Sequence, residues 1–278
     1  MKRIGLLFLI LLALAIGAYG YYHQDEMNEY LHTQNESEVQ TFELGTTGDL
    51  IMNANQKTLL KTPLHTFGKQ ELLYAPYLLL DVKYTRDDKK TQDAKVLFSL
   101  IDGEMVLNTQ TFETTHGLED CILNNATDDD FRILHALSKK GGALPKEALS
   151  IEMGIDPDVL STQIEALRKK HLVTVRQDLV RVHFQNPFTK PDPSTVFSHY
   201  LVMRKASKNN QIPGVYSKTQ IKNVAKAAFG QDLAFRKEQI VFVPFYEIEI
   251  QNPDGSVRRT YWNGVTGKEI VSFSGKVS

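Results

Sequence analysis

The chain predicts an α+β fold, and three observations predict it. A strand pattern recurs at a constant offset of 168 residues, a helix-rich stretch ending in a hairpin lies between the two copies, and an uncharged apolar run opens the sequence. The 278 residues, 42% of them hydrophobic, suffice for one large domain or two to three small ones. With 32 Lys+Arg against 33 Asp+Glu the net charge is −1, which argues against a generally basic nucleic-acid binder. A single cysteine excludes an intramolecular disulfide framework and a Cys-rich zinc site.

Met1-Lys2-Arg3 precedes an uncharged run from Ile4 to Tyr22. At about 1.5 Å per residue this run spans roughly 28 Å as a helix, close to the thickness of a bilayer's hydrocarbon core. Tyr19, Tyr21 and Tyr22 stand at its far end, where aromatic residues favour the interface. Residues 1–22 therefore read as a transmembrane anchor, with cleavage as a signal peptide the competing reading. Lys2 and Arg3 lie before the span, whereas residues 23–56 hold no Lys or Arg and several acids, Asp25, Glu26 and Glu29 among them. That asymmetry predicts a cytoplasmic N-terminus and an exported remainder. Residues 23–45 read as an acidic spacer.

The repeat aligns KQELLYAPYLLLDV (69–82) with KEQIVFVPFYEIEI (237–250), matching Pro76 with Pro244, Tyr74 with Phe242 and Tyr77 with Phe245. After a shorter connection in the second copy, LFSLIDGEMV (97–106) aligns with YWNGVTGKEI (261–270), setting Gly103 on Gly267. Each copy predicts a strand, a turn and a second strand closed by a glycine turn. Both prolines are expected at a sheet edge, a bulge or a strand start, because proline cannot donate to a ladder. Ser217 reads as the N-cap of a helix with Ile221, Val224, Ala225 and Ala228 on one face, stopped by Gly230. The counterpart at 49–61 has a weaker pattern. SHYLVMRKAS (198–207) reads as a further strand of the second unit. With its helix, the second copy resembles a small α+β module of bacterial envelope proteins, in which a V-P-F-W/Y strand leads into a D/T-G-x-x-I hairpin. That resemblance implies protein contacts rather than chemistry, and a location at the bacterial inner membrane.

Between the copies, Phe131, Ile133, Leu134 and Leu137 mark a first helix ended by Lys139-Lys140-Gly141-Gly142. Leu144-Pro145 opens a second, Gly154 makes a turn, and Asp156-Pro157 caps a third helix carrying Leu160, Ile164 and Leu167. TVRQDLVRVHF then reads as two strands. The run P-x-E-x-L-S-x-E-x-G-I-D-P-x-x-L-S-x-x-I-x-x-L-x-K-K-x-L-V is similar to the winged helix-turn-helix family over the full length of such a domain. The resemblance implies a contact surface on the third helix and the wing, with Ser161, Thr162, Gln163, Arg168, Lys169, Arg176 and Arg181 as candidate contact residues. Residues 128–184 hold nine basic and nine acidic side chains, and Asp156 and Asp158 sit at the helix start that would face phosphates. Phosphate neutralisation needs a basic excess, so a protein partner is expected and nucleic acid is disfavoured.

Chemistry has little purchase. His116, Glu119, Asp120 and Cys121 form the one Cys/His neighbourhood, without a demonstrable nucleophile–base pair. No metal-ligand spacing, phosphate loop or nucleophile elbow occurs, so no catalytic residue, metal or cofactor is expected. The expected organisation is an N-terminal transmembrane helix (1–22), the spacer (23–45), a first α+β unit (46–125), a winged helix domain (126–186), a linker (187–192) and a second, related α+β unit (193–278). The expected role is a non-catalytic, membrane-anchored, extracytoplasmic binding or scaffold protein. A membrane-tethered, DNA-binding regulator is the alternative.

Overall fold

The computed structural model describes residues 36–85, 89–184 and 192–273, with Ser272 described in its backbone only. The anchor at 1–22, most of the spacer and most of the 187–192 linker lie outside the described residues. Among the described residues no helix is long and apolar enough to cross a membrane. The fold is α+β.

Two long strands organise it, β2 (Thr66–Thr85) and β10 (Ala234–Gln251). They pair antiparallel along their whole lengths, from Ala234 opposite Lys83 to Gln251 opposite Thr66. Outside β2 lie β3 (Thr91–Ser99), β4 (Met105–Asn108) and β5 (Glu113–Thr114). Outside β10 lie β1 (Glu36–Phe42) and then β9 (Leu201–Ser207), while β11 (Val257–Asn263) takes the other half of the same edge of β10. The acidic stretch read as a spacer is thus a strand over Glu36–Phe42. Strand β9, expected within 198–207, pairs with it antiparallel.

The register places matched sequence positions symmetrically. Ala75 stands opposite Val243, and these two residues are themselves 168 apart, so a local two-fold axis passes between them. The same axis relates the parallel pairing of Thr41 with Phe242 to that of Gln211 with Tyr74. It also relates the bond Leu100 N–H to Pro76 O (3.0 Å) to Gly264 N–H to Pro244 O (2.8 Å). Gly103 and Gly267 both take positive φ, +73° and +71°, in turns that an L side chain would strain.

These contacts correct the expectation for the prolines. Pro76 and Pro244 lie mid-strand in the two central strands, not at an edge or a strand start. In a strand the N and C=O of one residue point to the same side. Each proline's carbonyl bonds outward, so its missing N–H faces outward too. There one neighbour ends and another begins: β3 starts pairing at Tyr77 and β11 at Phe245, while the bridges to Gln211 and Thr41 sit two residues back. No carbonyl needs the donor that proline lacks.

Two helices each cover a hairpin distant in sequence. Helix α1 (Gly48–Leu59), N-capped by Thr47, buries Ile51 and Leu59 against Tyr246, Ile248, Ile250 and Trp262 of β10 and β11. Helix α6 (Lys218–Phe229), closed by a Ser217/Gln220 capping box, buries Ile221, Val224, Ala225 and Ala228 toward Leu78, Leu80, Val96 and Phe98 of β2 and β3. Each fully buried aliphatic side chain stabilises by roughly 1.5–3 kcal/mol, so these faces fix both helices far more than helix propensity does. The opposite sheet face carries a second cluster, with Ala75, Tyr77, Val241, Val243, Phe245 and Phe273. Phe245 therefore faces away from Tyr246, Ile248 and Ile250, and both faces are buried there.

Residues 118–184 form the insertion. After the short α2 (Leu118–Leu123) come α3 (Asp128–Lys139), β6 (Ala143–Pro145), α4 (Lys146–Met153), α5 (Pro157–Lys169), β7 (Val173–Arg176) and β8 (Leu179–Val182). The second helix starts one residue after Pro145, because Ala143–Pro145 pairs with β8 in a three-stranded sheet of order β6-β8-β7. A Thr127/Asp130 capping box starts α3. Asp130, 8% exposed, also takes an ion pair from Lys170 at the end of α5, tying α3 to α5.

Candidate partner-binding face

The insertion packs against α6 through α2 and α3. Gln231 Nε2 donates to both carboxylate oxygens of Asp128 at 2.9 Å. At the stem, Phe184 lies against Gly117, whose φ of +106° and crowding by the Phe184 ring leave no room for a Cβ. Helix α5 packs on α4 and β7, and its outer side meets no other described element closely. The periodicity of Leu160, Ile164 and Leu167, all buried, dictates this orientation.

The candidate residues divide accordingly. Thr162, Arg168 and Lys169 are exposed on α5, while Ser161 and Gln163 are half-buried at its margins. Thr162 Oγ1 donates back to Asp158 O at 3.2 Å, and Arg168 Nε pairs with Glu165 Oε2 at 2.8 Å. Gln163 does not belong to an exposed contact surface, since its Oε1 is buried without a hydrogen-bond partner. On the hairpin, Arg181 stands opposite Thr174 and Arg176 opposite Leu179, all four on the exposed face of a sheet whose inner face buries Val173, Val180 and Val182. The exposed candidates therefore lie on α5 and on the hairpin. Their surroundings carry both signs: Asp156 and Asp158 at the helix start, a paired Glu165–Arg168, then the two hairpin arginines.

The Cys/His neighbourhood does not assemble. Cys121 is buried, its thiol held well above the usual range by desolvation and then by the nearby Glu104 carboxyl. It lines a small cavity with Gln220 and Asn223, whereas His116 is exposed at a different cavity. A thiol so suppressed is not a nucleophile.

That other cavity, about 500 Å³, holds polar groups that sequence reasoning missed. The turns at 99–104 and 263–268, related by the two-fold, both reach its wall. Glu104 Oε1 accepts from Gly117 N at 2.9 Å and Glu119 N at 3.2 Å, and its Oε2 accepts from Thr115 Oγ1. Burial outweighs these bonds and pushes its carboxyl up to about 7, with the neighbouring Asp102 adding to the rise. The available signal was the repeat itself, whose matched turns share the glycine but flank it differently: Asp102 and Glu104 in one, Thr266 and Lys268 in the other. Among the described residues no group of three His, Cys, Asp or Glu side chains is placed to hold a metal ion. Compared with protein-family models, curated proteins and solved structures, the chain matches none.

Proposed function

We propose that the chain is a membrane-anchored, extracytoplasmic binding protein in which two related α+β units carry a winged helix that docks a protein partner. The observation that carries this reading is the division of the inserted segment into two sides. Its helices α2 and α3 are packed against α6, while the outer sides of α5 and the hairpin are exposed with charges of both signs. A protein surface of mixed sign complements such a face, and a phosphate backbone does not. Thr162, Arg168, Lys169, Arg176 and Arg181 are the contact residues, with Leu179 as the apolar element among them. The buried Cys121 and its separation from His116 support a non-catalytic role.

Exposed arginines on the hairpin favour one rival, the membrane-tethered DNA-binding regulator, and anisotropy of a labelled random duplex separates the two. A phosphate-contacting protein loses roughly 10³–10⁵ in affinity between about 50 mM and about 200 mM salt. The full chain is expected to leave the duplex free at the lower salt. Binding that follows that steep salt slope and weakens in Arg176→Ala and Arg181→Ala would sink the protein-docking reading.

A further inference from the structure

The cavity between the two glycine turns is lined by two buried carboxyl groups that no ion pair among the described residues engages. Asp102 is 6% exposed and Glu104 9% exposed, and both line this space. Asp102 Oδ1 accepts only Glu104 N at 3.2 Å, and among the described residues neither carboxylate has an ion pair. A carboxylate taken out of water without a cation is costly. The symmetry-related turn does not neutralise it: Lys268 is exposed and forms no ion pair there, and Thr266 takes the place of Asp102. The wall also carries the aromatic rings of Tyr77, Phe112 and Phe184, beside polar side chains such as Thr111, Thr114 and Asn263. At about 500 Å³ the space is far larger than a bare ion and falls within the roughly 300–1,000 Å³ of small-molecule pockets.

We propose that this cavity binds a small organic cation, an ammonium or guanidinium group placed against Asp102 and Glu104 with its apolar portion between the aromatic rings. Carboxylates supply charge-assisted hydrogen bonds, and ring faces attract the same cation. The position gives binding a consequence. Gly117 and Phe184, the points where the chain leaves for the insertion and returns from it, both form part of the wall, so an occupant ties the two stems to the sheet. The inference is independent of what docks on α5. The groups facing Glu104 are Asp102 on its own turn, His116 and Glu119 on the adjoining segment, and Lys268 and Glu269 across the cavity. Since Glu104 titrates near neutrality, a cation is held several-fold more tightly at about pH 8 than at about pH 5.5.

Calorimetric titration of the full chain with benzylamine and agmatine, and with benzyl alcohol as the neutral analogue, tests this. At least one amine is expected to bind saturably, at least about tenfold more tightly than benzyl alcohol, and Asp102→Asn to weaken it about tenfold or more. Val271→Trp, which crowds the rim without touching a charge, is expected to weaken the amine by a similar factor and decides the matter if Asp102→Asn does not fold. Equal binding of amine and alcohol, unchanged amine affinity in a folded Asp102→Asn or in Val271→Trp, or no binding of either amine at millimolar concentration overturns the proposal.

Discussion

Replacing Lys170 with methionine is expected to lower stability by about 3 kcal/mol, the low end of what breaking a buried ion pair costs. Asp130 is 8% exposed and loses its counter-ion in the variant, keeping the Thr127 N–H and hydroxyl as donors. Lys170 is about a third exposed, which keeps the cost from rising further. Asp130→Asn gives a comparable loss, because it weakens the α3 capping box and strands the Lys170 ammonium against Asn125 O. The double variant loses less than the sum of the two. The apolar core of the insertion is continuous with the β2/β3 face under α6, so the whole molecule responds together. For a chain of this size the melting temperature falls by roughly 6–12 °C. Trp262, in the separate α1 cluster, shifts its fluorescence midpoint along with helical circular dichroism. A dichroism midpoint that moves while Trp262 stays unchanged would show that the insertion melts alone.

Glu104→Gln is expected to make the protein more stable above neutrality, and to flatten its pH dependence between about pH 4.5 and about pH 7. The folded carboxyl titrates at about 7 against an ordinary value of 4.5, so between those values the folded state binds more proton than the unfolded state. Stability therefore falls as pH rises through that window and levels off above it. The displacement corresponds to at most about 3 kcal/mol. Glutamine keeps an acceptor for Gly117 N and Glu119 N and gains a donor toward Thr115 Oγ1, but it does not titrate. Urea denaturation at several pH values measures the slope; a variant as pH-dependent as the native chain would place the titrating group elsewhere.

Much of this architecture was legible because periodicity reports burial. The apolar spacing in α5 and α6, the caps at Ser217 and Asp156, and the glycines at 103 and 267 all follow from local chemistry that one sequence carries. What could not be read is what long-range pairing decides. Glu36–Phe42 lies in an acidic stretch, and only its position between β9 and β10 makes it a strand. Pro76 and Pro244 defy the edge rule because one side of the gap each faces is supplied by a segment distant in sequence, at Gln211 and Thr41. Which hairpin α1 and α6 cover is equally invisible, since each helix's apolar stripe would serve either one. Asp102 and Glu104 flank the turn glycine at 103, and their burial arises from segments at 111–119 and 263–271 folding over them. On α5, the pattern marked Gln163 as a contact residue, but packing against neighbouring elements buries its carbonyl oxygen.

Orientation across the membrane bears most directly on the proposed role. Alkaline phosphatase, which needs an oxidising compartment to form its disulfides, is fused after Ser278 and compared with a cytoplasmic β-galactosidase fusion at the same position. An exported binding protein with Lys2 and Arg3 retained inside gives an active phosphatase and an inactive galactosidase. The reverse pattern contradicts it and leaves the inserted segment in the compartment where DNA is found.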